Sequence, residues 1–413
     1  MVLNWIWIGM FVVSIAMGFS KLLFWGDYQV MQNMMDGLFD ASKGGFEIAL
    51  FMTGTLCLWM GFMKIGEDGG AIKALTKLTA PLFSRLFPDV PKNHPAMGSI
   101  MMNFSANMLG LDNAATPFGL KAMKDLQSLN EDNPKTASNA QIMFLVLNTS
   151  GLTIIPVSIL AFRAANNSSE VASVFVPILI TTFFATLAGL IFVSIRQRIN
   201  LLDKVVFAYL GTLSLLIIGL ISVVYTYPEH VGVISSILSN TIILGIILGF
   251  FILAIRSKVN VFESFIDGAK GGFDVALNIM PYLIAMLVAI SLFRNCGALT
   301  DLMYGIKTSF VLLGLTAVQF VDALPVILMK PFSGAGARGL MIDIFQNPSF
   351  GPDSFVGKLA STFQGSTETT FYVLAVYFGS VKVTRTRYAA VAGLFCDVIG
   401  GIFAIFVAYL FFG

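Results

Sequence analysis

The stretch Phe363-Gln364-Gly365-Ser366-Thr367-Glu368-Thr369-Thr370-Phe371-Tyr372 lies in the middle of a mostly apolar run from about Phe355 to Ser380. About 20 helical residues cross the hydrocarbon core of a bilayer, so this run predicts a membrane span. Its centre nevertheless holds a carboxylate, an amide, four hydroxyl groups and a glycine. A carboxylate at mid-membrane costs about 2.5 to 3.5 kcal/mol on insertion scales, so it must face protein, water or a solute. The stretch therefore predicts a solute site at a break in a helix. Polar contacts between packed helices are the alternative.

The composition is that of a polytopic membrane protein. Its expected partner is therefore the lipid bilayer. Of 413 residues, 56% are hydrophobic and 12% are charged, against about 25% charged in soluble domains. The net charge of +2 gives no indication of a nucleic-acid partner. The three cysteines, Cys57, Cys296 and Cys396, lack metal-ligand spacing, so we expect packing roles for them and no metal or other cofactor. The first apolar run lacks a basic n-region and predicts a retained helix rather than a signal peptide.

Nine apolar runs have a length that suits a membrane span. They fall near 2–20, 45–63, 140–162, 171–195, 205–226, 233–255, 272–293, 357–380 and 388–412. Two further segments, 95–127 and 309–345, are broken by polar residues, glycine and proline. Short amphipathic stretches at 26–43, 68–90 and 257–271 are typical of helices lying along the membrane interface.

An internal repeat divides the chain. Seven of eleven positions are identical between 40–50 and 267–277, which lie 227 residues apart. Two weaker matches follow in the same order, 113–120 with 333–340 and 148–153 with 364–370. The sequence therefore predicts two related halves, residues 1–200 and 231–413, joined by a linking transmembrane helix within 201–230. The shared Lys-Gly-Gly-Phe-acid motif at Lys43 and Lys270 predicts a structural elbow at a helix start.

The distribution of basic residues predicts the topology. Arg196, Arg198 and Lys204 precede one predicted span, and Arg256 and Lys258 follow the next, so the positive-inside rule places these ends in the cytoplasm. The N-terminus is then cytoplasmic. Each half has four spans plus a re-entrant hairpin with broken helices, and the linking helix inverts the second half. If each broken segment spans instead, the halves have five crossings each and are parallel.

The candidate binding residues lie where helix ends would be exposed within the membrane, since such ends leave unpaired N–H and C=O groups for a solute or an ion. They comprise Asn113 and Thr116 in the first hairpin, Ser333 and Gly334 in the second, Asn148, Thr149, Ser150 and Thr153 in the first opened helix, and Gln364, Ser366, Thr367, Glu368, Thr369 and Thr370 in its partner. These amides, hydroxyls and single carboxylate suit a neutral or zwitterionic solute recognised by hydrogen bonds.

Two acidic residues are candidates for coupling to a proton or a sodium ion. Glu368 has no acidic counterpart in the first half, which favours coupling or solute binding over a structural pair with Lys330 or Arg338. Asp322 either pairs with Lys330 or Arg338 or lines the solute path. For Asp397, we expect a contact with a neighbouring helix. No catalytic triad or HExxH motif occurs, which disfavours an enzyme, and an intramembrane enzyme using Glu368 or Asp322 is the minor alternative.

The same residues carry a family resemblance that covers nearly the whole chain. Residues 113–123 resemble spore maturation protein A, and residues 331–340 and 365–372 resemble spore maturation protein B. Both families are grouped with the Gate, or nucleoside recognition, domains, which resemble membrane parts of concentrative nucleoside transporters and of ferrous iron transporter B. The resemblance implies a protein of the bacterial inner membrane with a transport role.

Together, these patterns predict a transporter or permease for a small polar solute such as a nucleoside. The alternative is a non-transporting scaffold or partner subunit in envelope or spore maturation. Self-association as a homo-oligomer stays open.

Overall fold

The computed structural model describes residues 2–91, 93–227, 231–314 and 317–413, except for the side chains of 2, 3, 112–114, 231, 232 and 235. Within these ranges the chain is nearly all helical. Its helices, in chain order, are α1 Val2–Trp25, α2 Val30–Gly69, α3 Ala71–Leu86, α4 Pro95–Met108, α5 Asp112–Gln127, α6 Asn139–Ser150, α7 Val157–Ala165, α8 Phe175–Gln197, α9 Lys204–Thr226, α10 Val231–Arg256, α11 Val261–Asn295, α12 Ala298–Leu312, α13 Leu324–Met329, α14 Gly334–Gln346, α15 Phe355–Ser366, α16 Thr370–Ser380 and α17 Ala389–Phe412.

Among the described residues, seven helices are long and apolar enough to cross a membrane, namely α1, α2, α8, α9, α10, α11 and α17. This is the architecture expected of a polytopic membrane protein. The two other predicted spans, 140–162 and 357–380, are each divided between two shorter helices, α6 and α7 in the first half and α15 and α16 in the second.

In both divided spans, local sequence features explain where the first helix ends and the second begins. Ser138 and Gln141 form a capping box that starts α6, and the helix ends at Gly151, whose φ of 60° is left-handed. The chain then runs unwound to α7, which begins directly after Pro156. In the second half, α15 ends at Thr367, which is fully extended, and α16 restarts three residues later. The polar stretches at 148–153 and 364–370 coincide with these two gaps.

The prediction of a structural elbow at the Lys-Gly-Gly motif is wrong. α2 runs through Gly44 and Gly45 for 40 residues, and α11 runs through Gly271 and Gly272 for 35. The glycines instead permit close packing, because α2 and α11 lie against each other. An added Cβ on Gly272 would meet the backbone N and Cα of Cys57 at 2.7 Å. The stretches 26–43 and 257–271 therefore belong to these long helices and are not separate interfacial segments.

α2 and α11 run antiparallel. Gly37 near the start of α2 accepts a hydrogen bond from Ser291 near the end of α11. Asp68 at the other end of α2 accepts one from Ser264 at the start of α11. α8 and α17 are also antiparallel, because Phe184 stacks on Phe403 at 4.0 Å while Gly189, further along α8, packs on Cys396, earlier in α17.

The two polar-broken segments contain short helices joined by tight turns. In the first half, α4 and α5 are joined at Gly110, which has a φ of 70°, and Asn103 Nδ2 donates to the carbonyl oxygen of Ala115 across the pair at 2.8 Å. In the second half, α13 and α14 are separated by only four residues. The helix α12 that precedes them was not predicted.

Candidate functional site

The two helix interruptions meet in the interior. The backbone N–H of Glu368 donates to the carbonyl oxygen of Thr149 at 2.8 Å. Gly151 lies against the same segment, where an added Cβ would be 3.1 Å from the Glu368 nitrogen. The unwound backbone of one half therefore satisfies a hydrogen-bonding group of the other, as buried backbone requires.

Each interruption is also hydrogen-bonded to the turn region of the hairpin in its own half. Ile154 donates to the carbonyl oxygen of Met108 at 2.7 Å, and Phe371 donates to that of Pro331 at 2.9 Å. The two bonds hold two hairpins and two broken helices around one point.

A polar cavity of about 120 Å³ lies at this point. Its lining comes from both halves and comprises Gly110, Thr153, Ile155, Pro156, Val157, Ser158, Ile159, Lys330, Gly334, Arg338, Gln364, Gly365, Thr367, Glu368 and Thr369. The site is thus assembled only when the two halves are packed together.

Among the described residues, two cationic side chains and one carboxylate line the cavity. Lys330 Nζ donates to the carbonyl oxygen of Gln364 at 2.8 Å, and Arg338 Nε donates to that of Gly334 at 3.1 Å. Sequence reasoning considered Lys330 and Arg338 only as structural partners of acidic residues and missed them as lining groups. The available signal was that both lie in the polar-broken hairpin segment, where a charge requires protein or water around it.

Of the predicted site residues whose side chains are described, six line the cavity: Thr153, Gly334, Gln364, Thr367, Glu368 and Thr369. Asn148 lies outside this lining, and its side chain bonds to Asn107 at 2.9 Å and to the hydroxyl of Tyr377.

The remaining predicted residues have other placements. The hydroxyls of Thr149, Ser150 and Ser366 donate to carbonyl oxygens within their own helices. Ser333 caps α14 by accepting from Gly336 N–H, and Thr116 is exposed on α5. The side chain of Asn113 lies outside the described residues.

Asp397 of α17 bridges the two sides of the second interruption. Its Oδ1 accepts from the Thr367 hydroxyl and its Oδ2 from the Thr370 hydroxyl, both at 2.7 Å. The carboxylate is 3% exposed and is separate from the cavity lining. The predicted contact between Asp397 and a neighbouring element is confirmed.

Asp322 does not pair as predicted. Its partner is Lys307 of α12, with Nζ 2.8 Å from Oδ2, and neither Lys330 nor Arg338 takes that position. The pair lies in a second cavity of about 320 Å³, which also contains the ion pair between Arg294 and Asp343. The expected pairing failed because α12 had not been recognised.

Within the described ranges, no group of three or more His, Cys, Asp or Glu side chains could hold a metal ion. The described cavity lining contains cationic side chains and hydroxyl groups.

The fold and the cavity define a polytopic membrane protein with a polar site between unwound helices. Residues 49–166 match the model of a family described as nucleoside recognition, or Gate. Spore maturation protein B of Bacillus subtilis (strain 168) is 43% identical over 176 residues, which are 96% of that protein and 43% of this chain. Spore maturation protein A of the same organism is 34% identical over 188 residues, 92% of that protein and 46% of this chain. The chain belongs to the family of the spore maturation proteins A and B. No solved structure matches it.

Proposed function

We propose that the protein is a permease that moves a small polar solute across a bacterial inner membrane through the cavity at the crossed helix interruptions. The observation that carries this proposal is the bond from Glu368 N–H to the Thr149 carbonyl, beside a cavity lined by both halves. Unwound backbone at membrane depth is tolerated where protein buries it or a cavity lies beside it, and transporters use such segments for binding.

An inverted repeat is part of this proposal, and reciprocal contacts between α2 and α11 support it. Gly45 packs against Ile284, and Gly272 packs against Cys57. Adding the repeat distance of 227 residues to Gly45 gives Gly272, and adding it to Cys57 gives Ile284. Such reciprocity between antiparallel helices is what a two-fold axis in the membrane plane would produce.

Loop contacts support the same symmetry and suggest an orientation. Arg385 N–H donates to the carbonyl oxygen of Lys135, which joins the segment before α6 to the segment after α16. Ser169 N–H donates to Asp353, which joins the segment after α7 to the segment before α15. The first junction is basic and the second contains acidic residues, so the positive-inside rule favours a cytoplasmic basic junction and N-terminus. In this arrangement both hairpins are re-entrant, one from each side of the membrane.

The two halves would correspond to the A and B proteins, united here by α9. Rocking of one half against the other would open the cavity to one side at a time, with the Glu368–Thr149 contact near the pivot. Glu368 is the proposed coupling residue, for a proton or a sodium ion, because its carboxylate is the acidic group that lines the cavity among the described residues.

Thiol labelling tests this proposal without knowledge of the solute. In a chain with Cys57, Cys296 and Cys396 replaced by serine, a Thr153→Cys reporter would lie in the cavity. A membrane-impermeant thiol reagent should label it in right-side-out vesicles and also in inside-out vesicles. Thr181→Cys is the matched control, since Thr181 is fully buried in α8 away from the cavity.

Labelling of Thr153→Cys from both sides, with no labelling of the control, supports alternating access. If the protein is folded and the reporter is not labelled from one of the two sides, or from both, the permease is rejected. That result would favour a scaffold without a solute path.

A further inference from the structure

We propose that a polar face of α4 forms the path between the cavity and the basic junction, and that the hydroxyl of Tyr377 closes this path. The basic junction is the contact between the segment before α6 and the segment after α16, where Arg385 N–H donates to the Lys135 carbonyl oxygen. This inference rests on the permease function proposed above. It specifies where a solute would pass and which side chain would have to move.

The hairpin of α4 and α5 extends from the basic junction to the cavity. At the end of α5, Gln127 donates to the carbonyl oxygen of Pro134 at 2.9 Å and accepts a hydrogen bond from Gln141 Nε2 at 2.7 Å. Pro134 directly precedes Lys135 of the junction, and Gln141 is in the first turn of α6. At the other end of the hairpin, Gly110 in the connecting turn lines the cavity. α4 therefore covers the distance between the junction and the cavity.

Three polar side chains lie along one face of α4. Ser99, Asn103 and Asn107 are spaced four residues apart, so the helix places them on the same side. Ser99, near the junction end, donates to Asp125 Oδ2 of α5 at 2.6 Å. Asn107 is one turn before Gly110, whose N–H donates to the Asn107 carbonyl oxygen. Polar side chains inside a membrane protein commonly mark the path of a solute or an ion, and this polar face reaches from the junction end of the hairpin to the cavity.

Tyr377 of α16 lies against this face. Its ring is tilted on the ring of Phe144 in α6, with the centroids 5.5 Å apart. Its hydroxyl donates to Asn148 Oδ1 at 3.3 Å and accepts from Asn103 Nδ2 at 3.5 Å. α16 belongs to the second half of the chain, whereas α4 and α6 belong to the first. Movement of one half against the other would therefore separate Tyr377 from the two asparagines.

The surroundings of the Tyr377 hydroxyl are filled. Tyr377 is 7% exposed, Asn148 is 6% exposed and Asn103 is fully buried. On the side of α5, an added Cβ on Gly119 would collide with the hydroxyl, so only a glycine at this position leaves space for it. Among the described residues, this packing leaves no room for a solute beside the hydroxyl, and the path is closed at this level.

Hydrogen-bond lengths distinguish the side chains that line the path from the group that closes it. Asn103 Nδ2 donates to the Ala115 carbonyl oxygen at 2.8 Å, and Asn107 Nδ2 donates to Asn148 Oδ1 at 2.9 Å. Both lengths are usual for N–H···O bonds, and both bonds lie within the first half. The two bonds of the Tyr377 hydroxyl, at 3.3 and 3.5 Å, cross between the halves and are longer than usual, hence weaker. Tyr377 can therefore leave while the asparagines stay in place.

The Thr153→Cys reporter tests the path, because it measures access to the cavity from each side of the membrane separately. Tyr377→Phe keeps the ring and removes the hydroxyl. We expect labelling from the side of the basic junction to become about fivefold faster, since loss of about one hydrogen bond raises the open population by that factor. Labelling from the other side should be unchanged or slower. A Lys135→Cys chain in the same cysteine-free background identifies which vesicles present the junction, because Lys135 is exposed there.

Asn107→Leu should have the opposite effect. It makes the face of α4 apolar and leaves the Tyr377 hydroxyl in place, so a hydrated reagent would have to pass an apolar side chain. Labelling from the junction side should become at least about fivefold slower, whereas a network with only a structural role would leave the rate unchanged or make it faster. Tyr409→Phe is the matched control, since it removes a hydroxyl that donates to the Ala317 carbonyl oxygen at 2.9 Å, at the end of α17 far from the junction. Both labelling rates should stay unchanged in this control.

An unchanged rate in Tyr377→Phe, or an equal acceleration from both sides, would overturn the closing role of the hydroxyl. An unchanged or faster rate from the junction side in a folded Asn107→Leu would overturn the route along α4. Thermal unfolding in detergent shows whether each variant is folded, and Tyr377→Phe decides if Asn107→Leu does not fold. In each case, labelling of the reporter chain with Tyr377 intact from both sides leaves the permease standing. If that chain is not labelled from both sides, the permease is rejected and the path with it.

Discussion

The fully buried guanidinium of Arg163 donates from Nη2 to Oδ1 of Asp353 at 2.7 Å, across 190 residues of chain. Arg163 lies in α7 of the first half, and Asp353 lies in the segment before α15 of the second half. Nη1 donates to the neighbouring Pro352 carbonyl at 2.6 Å. One buried cation thus fixes the junction between the halves at the end of the molecule opposite the basic loops.

Removing the carboxylate from this pair should destabilise the protein. Asp353→Ala leaves the Arg163 charge buried without its anion, which costs about 3 to 5 kcal/mol. We expect the lower end of that range, because Asp353 is 31% exposed. The measurement is thermal unfolding in detergent. Glu47→Gln is the control, since it removes an exposed i,i+4 partner of Lys43 and should change stability by about 0.5 kcal/mol or less.

The contribution of Asp353 to the free energy of unfolding should depend on pH. Burial raises the pKa of this carboxyl, but hydrogen bonds from Ser168 and Ser169 together with the Arg163 charge lower the pKa by more, so it lies below its usual value. A carboxyl with a depressed pKa contributes its full stability above the unfolded pKa and loses it as the pH falls through the folded pKa. The melting-temperature difference between wild type and Asp353→Asn should be constant above about pH 5 and shrink below about pH 4. A difference that grows on acidification would contradict this assignment.

Substitution at Gly151 should disturb the crossing of the interruptions. Gly151→Ala would introduce a side chain at a φ of 60° and a Cβ 3.1 Å from the Glu368 nitrogen. The left-handed conformation alone costs about 1 to 2 kcal/mol, and the contact adds to it. Gly26→Ala has a similar φ of 66° with no described atom within 4 Å, so it carries only the backbone cost. Labelling of the Thr153→Cys reporter should change in Gly151→Ala and stay unchanged in Gly26→Ala. Equal changes in labelling in the two variants would show that the contact between the two helix interruptions has no special role.

Asp397 should be required for the second interruption. Asp397→Ala leaves the hydroxyls of Thr367 and Thr370 without their acceptor, at about 1 to 3 kcal/mol for each buried group. Asp397→Asn retains one acceptor oxygen and should be milder. Thermal unfolding of both variants is the measurement. If the alanine variant is as stable as wild type, the carboxylate does not hold the break.

Alanine substitutions at two glycines should have different effects on stability, because one glycine lies in the contact between α2 and α11 and the other does not. Gly272→Ala would push a Cβ into the Cys57 backbone at 2.7 Å, where no flexible side chain can give way, and should lower stability by about 1 to 3 kcal/mol. Gly54→Ala lies in α2 with no described atom within 4 Å of the new Cβ. It should be neutral or stabilise by about 1 kcal/mol, since alanine is the better helix former. A neutral Gly272→Ala would show that the two helices can separate without cost.

The sequence correctly predicted those structural features that are decided by residues close to one another in the chain. Hydroxyl, amide and glycine clusters inside apolar runs predicted where α6 and α15 end, because these residues weaken a helix and cannot face lipid. Thr153, Gln364 and Glu368 were predicted as site residues on the same grounds, and they line the cavity. The offset between the repeated motifs predicts equivalent helices in two halves, and this stays a prediction.

The errors arose where contacts between distant segments decide the structure. A glycine pair has the same local signature in a bend and in a tight helix contact, so only the approach of α11 distinguishes them at Gly45. Lys307 could not be recognised as the partner of Asp322 without α12. The placement of Arg338 and Lys330 at the cavity depends on how α13 and α14 pack against α15, which one-dimensional patterns do not contain.

The reciprocal packing of Gly45 on Ile284 and Gly272 on Cys57 has a consequence for a half produced by itself. The long glycine-bearing helix of that half would lack the neighbour against which its glycines pack. In the proposed inverted repeat, a second copy in the opposite orientation would cover this face, and α9 would let one polypeptide supply both orientations.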